Sequence, residues 1–350
     1  MSSINIAQRR IGPEDDVFII AELSCNHLGN KEVALATVQA AKACGANAIK
    51  LQTFTADTIT LRSEAKDFQI QHGTLWDGLT LHKLYEEAHT PWEWHAELQR
   101  AAHQAGLLFF SSPFDPTAVD FLESLHVPAY KVASFEITDI PLIEHIASKG
   151  KPVIISTGIA ELTDIEEAVR AVRRMGNDQI ALLKCTSTYP APIEEANLRT
   201  IPDMASRFGV VTGVSDHTLG AAVPVAAVCM GASIVEKHLI LDKKLGGHDV
   251  AFSLDPTEFK AMVVAVRDAQ MSLGRVSYEL SEKSRGNRVF ARSLYACADI
   301  KCGELLTKDN VRSVRPAFGL PPKELPRVLG AHARCDISYG TALSWELLKV

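Results

Sequence analysis

The sequence predicts a parallel (β/α)8 TIM barrel followed by a small β-rich domain. Between residues 17 and 240, short apolar runs rich in β-branched residues recur eight times, and a helix-like segment follows most of them. Each run carries polar or charged side chains within it or at its C-terminal end. Eight strand–helix alternations are typical of a closed barrel whose active site lies at the C-terminal ends of the strands. The pattern therefore predicts an enzyme.

The eight predicted strands are separated by segments with helical periodicity. The strands are VFIIAEL, AIKLQT, LLFFSSP, AYKVAS, VIISTG, IALLKCT, VVTGVSD and SIVEKHL. Helices are predicted over 31–45, over 90–106, where Thr90 is the expected cap before a proline, and over 255–274. DPTAVDFLESL and ELTDIEEAVRAVRRMG are predicted helices after the third and fifth strands. The long segment 56–89 is either a lid over the barrel mouth or an insertion of one or two helices.

The chain changes character after residue 274. Polar and basic residues over 281–291 predict a linker between a catalytic domain, 1–280, and a β-rich domain, 292–350. Short β-like runs in the last part of the chain are separated by turn signals such as KCGE and SYGT. A domain of about 60 residues is small, so we expect it to pack against a partner surface.

Composition and charge exclude several classes of protein. The 350 residues are 47% hydrophobic and 22% charged, which is typical of a soluble globular protein. A formal net charge of −6 offers no electrostatic footprint for nucleic acid. Neither a membrane-spanning run nor the apolar core of a signal peptide is present, and the seven cysteines form no C-x-x-C pair. We therefore expect a cytoplasmic protein with reduced thiols and neither nucleic-acid nor membrane partners.

Two histidines end the seventh and eighth predicted strands, His217 in SDHT and His238 in EKH. Neighbouring strand ends in a barrel let two imidazoles share one divalent metal ion, with water or substrate oxygens as further ligands. Asp216 and Glu236 are candidate partners or additional ligands for these histidines. The alternative interpretation is two histidines with a structural role in the core.

Two lysines, Lys50 and Lys131, lie within apolar strands. A buried lysine needs an anionic partner to stay charged, so the two predict a pocket for phosphate or carboxylate. The alternatives are a structural salt bridge with Glu22 or Glu136, or a Schiff-base lysine as in class I aldolases. Glu22 ends the first strand as a candidate general base or charge stabiliser. Serine hydroxyls that could complete the pocket follow other strands: Ser112, Ser134, Ser156 and Ser215.

An ordered set of motifs resembles the sialic acid synthase family. The motifs are AELSCNHLG, AIKLQTF, SSPFD, YKVASFEITD, ISTGIA, SDHT and EKH, and the resemblance extends over nearly the whole chain. Members of this family condense phosphoenolpyruvate with an N-acetylated sugar to make nonulosonic acids. The segment RSLYACADIKCGELLTKDNVRSVRPAFG is similar to the small antifreeze-like (SAF) domain that these enzymes carry.

The resemblance implies a role for each matching residue. Glu22 matches the catalytic glutamate, and Lys50 and Lys131 match lysines that offset the charge of the leaving phosphate. His217 and His238 match ligands of a divalent metal ion, for which Mn²⁺ is the first choice and Mg²⁺ or Co²⁺ are alternatives. The residues implied for phosphoenolpyruvate also include Ser112, Ser134, Ser156 and Ser215. The residues implied for the acetamido sugar are Gln52, Tyr189 and Asp249.

Three further positions concern the second subunit and the choice of sugar. Arg315 in RPAFG matches an arginine that the SAF domain of one subunit inserts into the site of the other, which implies a domain-swapped homodimer. Ser187 lies in CTSTYP, where relatives acting on N-acetylmannosamine have a TTNIYP-like segment. Phe318 lies in RPAFG, where those relatives have an RPGNG-like loop. Both differences point away from N-acetylmannosamine as the substrate.

Two longer stretches, WDGLTLHKLYEEAHTPWEWH and VDFLESLHVPAYKVASFEITDIPLIEHIASKGKP, are most similar to the pseudaminic acid synthases of this family. We therefore expect condensation of phosphoenolpyruvate with 2,4-diacetamido-2,4,6-trideoxy-altrose and water to give pseudaminic acid and phosphate. The alternatives are an N-acetylneuraminate or legionaminate synthase, a class I aldolase, and a non-catalytic sugar-phosphate sensor.

Overall fold

The computed structural model describes residues 2–71, 73 and 76–350. The chain divides into two compact units, one ending at Gly274 and the other spanning Arg275–Val350. The sequence-based boundary lies slightly later, at residue 280. The predicted linker, 281–291, falls in the second unit, where it contains the short helix α11 (Glu282–Gly286) and a 3-10 turn (Asn287–Phe290).

The first unit is a short antiparallel hairpin followed by a closed parallel barrel, as the sequence predicts. The hairpin strands are β1 (Ile4–Ile6) and β2 (Arg9–Ile11). The barrel strands are β3 (Phe18–Glu22), β4 (Ala48–Thr53), β5 (Leu108–Pro113), β6 (Tyr130–Val132), β7 (Val153–Ser156), β8 (Ile180–Cys185), β9 (Val211–Asp216) and β10 (Ile234–His238). They pair in chain order, and β10 closes on β3. All eight predicted strands are therefore confirmed.

Helices follow the strands. They are α1 (Lys31–Ala43), α2 (Ala56–Ile59), α3 (Leu81–Ala88), α4 (His95–Gln104), α5 (Pro116–Ser124), α6 (Ile140–Ala147), α7 (Leu162–Arg174), α8 (Thr200–Phe208), α9 (Ala222–Cys229) and α10 (Pro256–Leu273). Side chains cap several of them: Asn30 accepts from the Glu32 backbone, and Asp255 and Glu258 form a capping box. None of the helices in the described part of the chain is long and apolar enough to cross a membrane.

The predicted helix over 90–106 begins later than expected. A 3-10 turn, Trp92–Trp94, precedes α4. Thr90 does not cap this helix; its hydroxyl lies 3.1 Å from Nε2 of the buried His27. Pro91 is in a non-helical conformation, with ψ at 130°, so the α-helix cannot start at that position.

The long segment 56–89 contains α2, a 3-10 turn (Lys66–Phe68) and α3. These elements agree with an insertion of short helices. Residues 72, 74 and 75 of this segment lie outside the described residues, and closure of the segment as a lid stays a prediction.

The second unit has its own small core. Strand β11 (Ser293–Ala296) pairs antiparallel with β12 (Val311–Val314), and β13 (His332–Ala333) pairs with β14 (Leu348–Lys349). A short helix, α12 (Leu325–Val328), precedes β13. Buried aliphatic side chains hold these elements together: Leu294, Ile300, Leu306, Val311, Ile337, Leu343 and Leu348. The unit is β-rich, as expected.

One glycine is required by the close approach of the barrel strands. A Cβ at Gly213 on β9 would collide with the backbone oxygen of Ile234 and lie 2.7 Å from Cδ2 of Leu183. We expect Gly213→Ala to destabilise the barrel by about 1–3 kcal/mol, because neighbouring backbone would have to shift. The measurement is urea unfolding followed by circular dichroism. Gly286→Ala, where a Cβ meets nothing within 4 Å, is the control; equal midpoints for the two variants would contradict the prediction.

Candidate active site

Four charged side chains meet inside the barrel, near the C-terminal ends of its strands. Glu22 ends β3, Lys50 and Lys131 lie on β4 and β6, and Glu236 lies on β10. The ammonium of Lys50 contacts Oε2 of Glu22 and lies 3.9 Å from Oε1 of Glu236. The ammonium of Lys131 also lies 3.9 Å from this Oε1. All four side chains are buried, so two positive and two negative charges balance one another away from water.

The lysines also bond to the predicted serines. Lys50 donates to Oγ of Ser112 at 3.2 Å, and Lys131 donates to Oγ of Ser156 at 2.6 Å. Ser215 donates to Oε1 of Glu236 at 2.9 Å. The structure therefore brings the predicted lysines and these serines into one buried cluster. Hydroxyl and ammonium donors that face a common space are suited to hold a phosphate or carboxylate group.

Ser134 occupies the same end of the barrel through a backbone contact. Its Oγ accepts a hydrogen bond from the Gly158 amide at 3.1 Å. A Cβ at Gly158 would lie 2.8 Å from that oxygen and would collide with Oγ of Ser187. The absence of a side chain at residue 158 therefore allows Ser134 and Ser187 to approach each other.

Burial and charge set different pKa shifts for the four groups. Burial raises the pKa of Glu22, although Lys50 opposes the shift. Burial would also raise the pKa of Glu236, but the charges of Lys131 and Lys50 outweigh it and lower this pKa. Burial lowers the pKa of Lys131, whereas Glu22 and Glu236 overcome burial and raise the pKa of Lys50. The lysines thus favour the ionised form of Glu236 more than that of Glu22.

His217 and His238 lie side by side, with ring centroids 5.3 Å apart. Nδ1 of His217 donates to the Thr186 carbonyl at 3.0 Å, which leaves Nε2 with a free lone pair. Nδ1 of His238 is buried and lies 3.5 Å from the carboxylate oxygen Oδ2 of Asp249. The two imidazoles offer nitrogen donors of the kind that divalent transition metals bind, and the shared metal ion stays a prediction. No group of three His, Cys, Asp or Glu side chains suited to a metal is found among the described residues.

The two acids expected beside the histidines have other partners. Asp216 forms an ion pair with Lys237 at 2.5 Å on the outer side of the barrel. Glu236 bonds to Ser215 and faces the lysines. The reason is the two-residue period of a strand: Asp216 is adjacent to His217 in sequence and so projects from the opposite face. Asp216 therefore bonds to Lys237 and not to the His217 ring, so the expected role as a direct ligand beside His217 is wrong.

Two of the three residues implied for the sugar lie beside the histidines. The Tyr189 ring lies 4.7 Å from the His217 ring, centroid to centroid. Asp249 accepts from Oγ of Ser24 at 2.6 Å, and its pKa is lowered because hydrogen bonds and charge at His238 outweigh burial. Gln52 is in register with Ser112 across β4 and β5.

Three predicted residues remain, one in the first unit and two in the second. Ser187 follows β8, and its Oγ lies 3.7 Å from Sγ of Cys185. Arg315 and Phe318 follow β12 in the second unit, and the Phe318 side chain is exposed. Their participation in the site stays a prediction.

Sequence reasoning missed the pairing of Glu236 with the two lysines. Glu236 is predicted as a partner or ligand beside His238, and the strand period places both on the same face, which also brings Glu236 near the lysines. Glu136 is the second acidic residue, predicted as a salt-bridge partner for the lysines. Its Oε2 is buried without a hydrogen-bond partner among the described residues, and burial raises its pKa to about 7 although Lys131 opposes the shift. Its position two residues after Ser134 was the available signal.

Comparisons with known proteins identify the family of this chain and several related enzymes. Residues 37–278 match the NeuB family and residues 291–349 match the SAF domain. The pseudaminic acid synthase of Campylobacter jejuni is 50% identical, with 93% of this chain and 95% of the relative covered. The N,N'-diacetyllegionaminic acid synthase of Legionella pneumophila is 38% identical, with 95% and 94% covered.

A solved structure is also similar to this chain. The N-acetylneuraminic acid synthetase of Leptospira borgpetersenii, crystallised with citrate, superposes with a TM-score of 0.73 at 31% identity and covers 82% of this chain and 95% of its own. Because the family match spans well over half of the chain, the chain belongs to the NeuB family and carries a C-terminal SAF domain.

Proposed function

We propose that this protein is a pseudaminic acid synthase. It condenses phosphoenolpyruvate with 2,4-diacetamido-2,4,6-trideoxy-altrose and water to give pseudaminic acid and phosphate. The observation that carries the proposal is the convergence of Lys50 and Lys131 with the histidine pair in one barrel mouth, because the reaction must hold an anion beside a carbonyl group. The identity of 50% to a pseudaminic acid synthase supports this choice of sugar.

Phosphoenolpyruvate binds where the lysines and serines face the cavity. Its phosphate and carboxylate accept hydrogen bonds from Lys50, Lys131 and the serine hydroxyls. Since Glu22 and Glu236 already neutralise the lysines, the incoming anion competes with these carboxylates for the ammonium groups. A further positive charge is therefore needed, and Arg315 is our candidate to supply it.

The condensation joins C3 of phosphoenolpyruvate to the aldehyde carbon of the open-chain sugar. Positive charge develops at C2, where Glu22 stabilises it and positions the water that adds there. The raised pKa of Glu22 makes it a base able to accept the proton of this water. The tetrahedral product then breaks its C–O bond and releases phosphate, whose charge Lys50 and Lys131 offset. Glu136, with its unpartnered buried oxygen, is an additional candidate to bind a sugar N–H or hydroxyl.

His217 and His238 are the proposed ligands of a divalent metal ion, with Mn²⁺ as the first choice and Mg²⁺ or Co²⁺ as alternatives. The adjacent rings, the hydrogen bond from Nδ1 of His217 and the Asp249 carboxylate beside Nδ1 of His238 support this assignment. When bound, the ion supplies Lewis-acid polarisation of the sugar aldehyde. Substrate oxygens and water complete its coordination.

The proposed active form is a domain-swapped homodimer in which Arg315 of one subunit completes the site of the other. Apolar side chains that are exposed on loops after the barrel strands support a covering partner: Phe135 is 57% exposed, Ile159 47% and Leu219 54%. Location in the cytoplasm stays a prediction.

A class I aldolase is the second candidate, because burial lowers the pKa of Lys131 and a neutral lysine is required for a Schiff base. The close contact with Ser156 and the neighbouring Glu236 carboxylate favour a charged ammonium instead. Borohydride reduction in the presence of pyruvate separates the two, since only the aldolase becomes covalently modified.

Product identity tests the proposed reaction. We expect the purified protein, given phosphoenolpyruvate and one of three acetamido sugars, to release phosphate fastest with the diacetamido-trideoxy-altrose. Mass spectrometry should then detect pseudaminic acid. N-acetylmannosamine and the legionaminic acid precursor are the matched comparisons. Faster turnover of either would contradict the choice of sugar, and release of pyruvate without condensation would contradict the reaction.

Glu22→Gln separates catalysis from binding. The variant should lower kcat by about 10²–10⁴-fold, because the base and its charge are lost. Binding of phosphoenolpyruvate should persist or strengthen, since Lys50 loses a competing carboxylate. Calorimetry measures the binding, and Glu194→Gln on the exposed surface is the control. Loss of binding in Glu22→Gln would indicate a structural role.

Metal removal tests the histidine pair. Dialysis against a chelator should abolish condensation, and added Mn²⁺ should restore it. Activity that persists in protein shown to be metal-free by atomic absorption would contradict the assignment. Exposure of the chelator-treated protein to Ca²⁺ controls for general effects of divalent ions.

Mixed dimers test the swapped site. Glu22→Gln and Arg315→Ala subunits should each be inactive alone. After the two are unfolded, mixed and refolded together, one site in each mixed dimer regains both residues, so activity should return. Persistent inactivity, with mixed dimers shown by mass spectrometry, would count against the swap.

A further inference from the structure

A fully buried ion pair lies directly behind the two histidines. Lys237 precedes His238 on β10, and Asp216 precedes His217 at the end of β9. The two residues are in register across the strands, and the exposed side-chain fractions are 0% for Lys237 and 2% for Asp216. Since neighbouring residues on a strand point to opposite faces, the pair projects away from the cavity into the surrounding layer.

The hydrogen bonds of this pair restrain the backbone on both sides of His217. Lys237 bonds to Oδ2 of Asp216 at 2.5 Å and also to the carbonyl oxygen of Thr218. Oδ1 of Asp216 accepts from the Thr218 amide at 2.9 Å. Residues 216 and 218 are thus held by a side chain of β10, the strand that carries His238. One ammonium group links the local backbone of both histidines.

Stability alone does not account for a charged pair at this position. The residues in register with Lys237 on the next two strands are Ala21 and Ile49, both buried and apolar. Burying an ion pair costs desolvation, and apolar replacements of similar size are often as stable or more so. Apolar side chains make no directional hydrogen bonds, so they could not hold the Thr218 carbonyl and the Asp216 carboxylate at fixed distances as Lys237 does.

We propose that Lys237 and Asp216 are positioning residues that set the relative placement of His217 and His238, and through it the affinity for the metal ion. The proposal rests on the metal site of the proposed function. Outer partners of metal ligands commonly change metal affinity by about 10–100-fold when they are removed. Here the pair acts through the backbone of both ligands rather than through the rings.

The decisive variant is the double substitution Asp216→Asn, Lys237→Met. It removes both charges together, so no unpaired ion is buried, and the introduced side-chain amide retains an oxygen that can accept from the Thr218 backbone. We expect Mn²⁺ affinity, measured from the free-ion signal in electron paramagnetic resonance, to fall by about 10–100-fold. The urea midpoint and the affinity for phosphoenolpyruvate should stay near those of the wild type.

Asp216→Glu is the second variant, because it keeps the ion pair and so the fold. Its longer side chain displaces the carboxylate, and we expect Mn²⁺ affinity to fall by about tenfold. Asn177→Ala is the matched control: this buried residue donates to the Lys151 carbonyl at 2.7 Å beside the N-terminal end of β8. It should lower the urea midpoint without changing Mn²⁺ affinity.

The outcomes separate the two levels of the proposal. His217→Ala should lose Mn²⁺ binding; binding that survives there, or is absent in the wild type, would overturn the metal site and this inference together. Binding lost in His217→Ala but within twofold of wild type in both pair variants would overturn the positioning role alone. A fall in affinity in Asp216→Glu supports the role even if the double variant does not fold.

Discussion

The balance of four buried charges in the barrel is the constraint on which the rest of the site depends. An ion that is moved out of water and left unpaired costs several kcal/mol, so Lys50 and Lys131 require carboxylates at close range. Glu22 and Glu236 supply them from β3 and β10. These strands are the first and last of the barrel, and only its closure makes them neighbours. The charge cluster and the closed topology therefore stabilise each other.

This balance also explains how an anionic substrate can enter a protein with a net negative charge. The lysines already occupy fixed positions, and on binding they replace contacts with the protein carboxylates by contacts with the anionic substrate. Little reorganisation is needed, because Ser112 and Ser156 already orient the ammonium groups. Electrostatic groups that are oriented before the reaction are the main source of catalytic power in such sites.

The two faces of the strands divide the work between chemistry and support. His238 on β10 and His217 directly after β9 lie on the inner side of the barrel. The neighbouring Lys237 and Asp216 form their ion pair on the opposite face of the sheet. Because successive side chains on a strand point to opposite faces, each reactive side chain has a neighbour in sequence whose side chain can hold the backbone from the other face. In the proposed enzyme, catalysis and positioning are thus interleaved along the same few residues.

The sequence by itself determined the architecture and most of the chemistry. Eight apolar runs with polar ends predicted the barrel, and the convergence of strand ends at the mouth of a barrel predicted that Lys50, Lys131, His217 and His238 would lie together. The barrel and the positions of these polar residues can be predicted because they depend on patterns that are local in the sequence. Residues such as Ser112, Ser156 and Ser215 followed from the same reasoning and lie where expected.

Only the tertiary structure decided which groups are partners. Glu236 pairs with two lysines from distant strands rather than with the nearby His238, and Asp216 pairs with Lys237 rather than with His217. Thr90 contacts His27 instead of capping a helix. The contacts of Glu236 and Thr90 join segments far apart in the chain and depend on barrel closure and packing, whereas the Asp216–Lys237 pair depends on the register between β9 and β10. The two-residue period predicts which face a side chain occupies, but it contains no information about these partners.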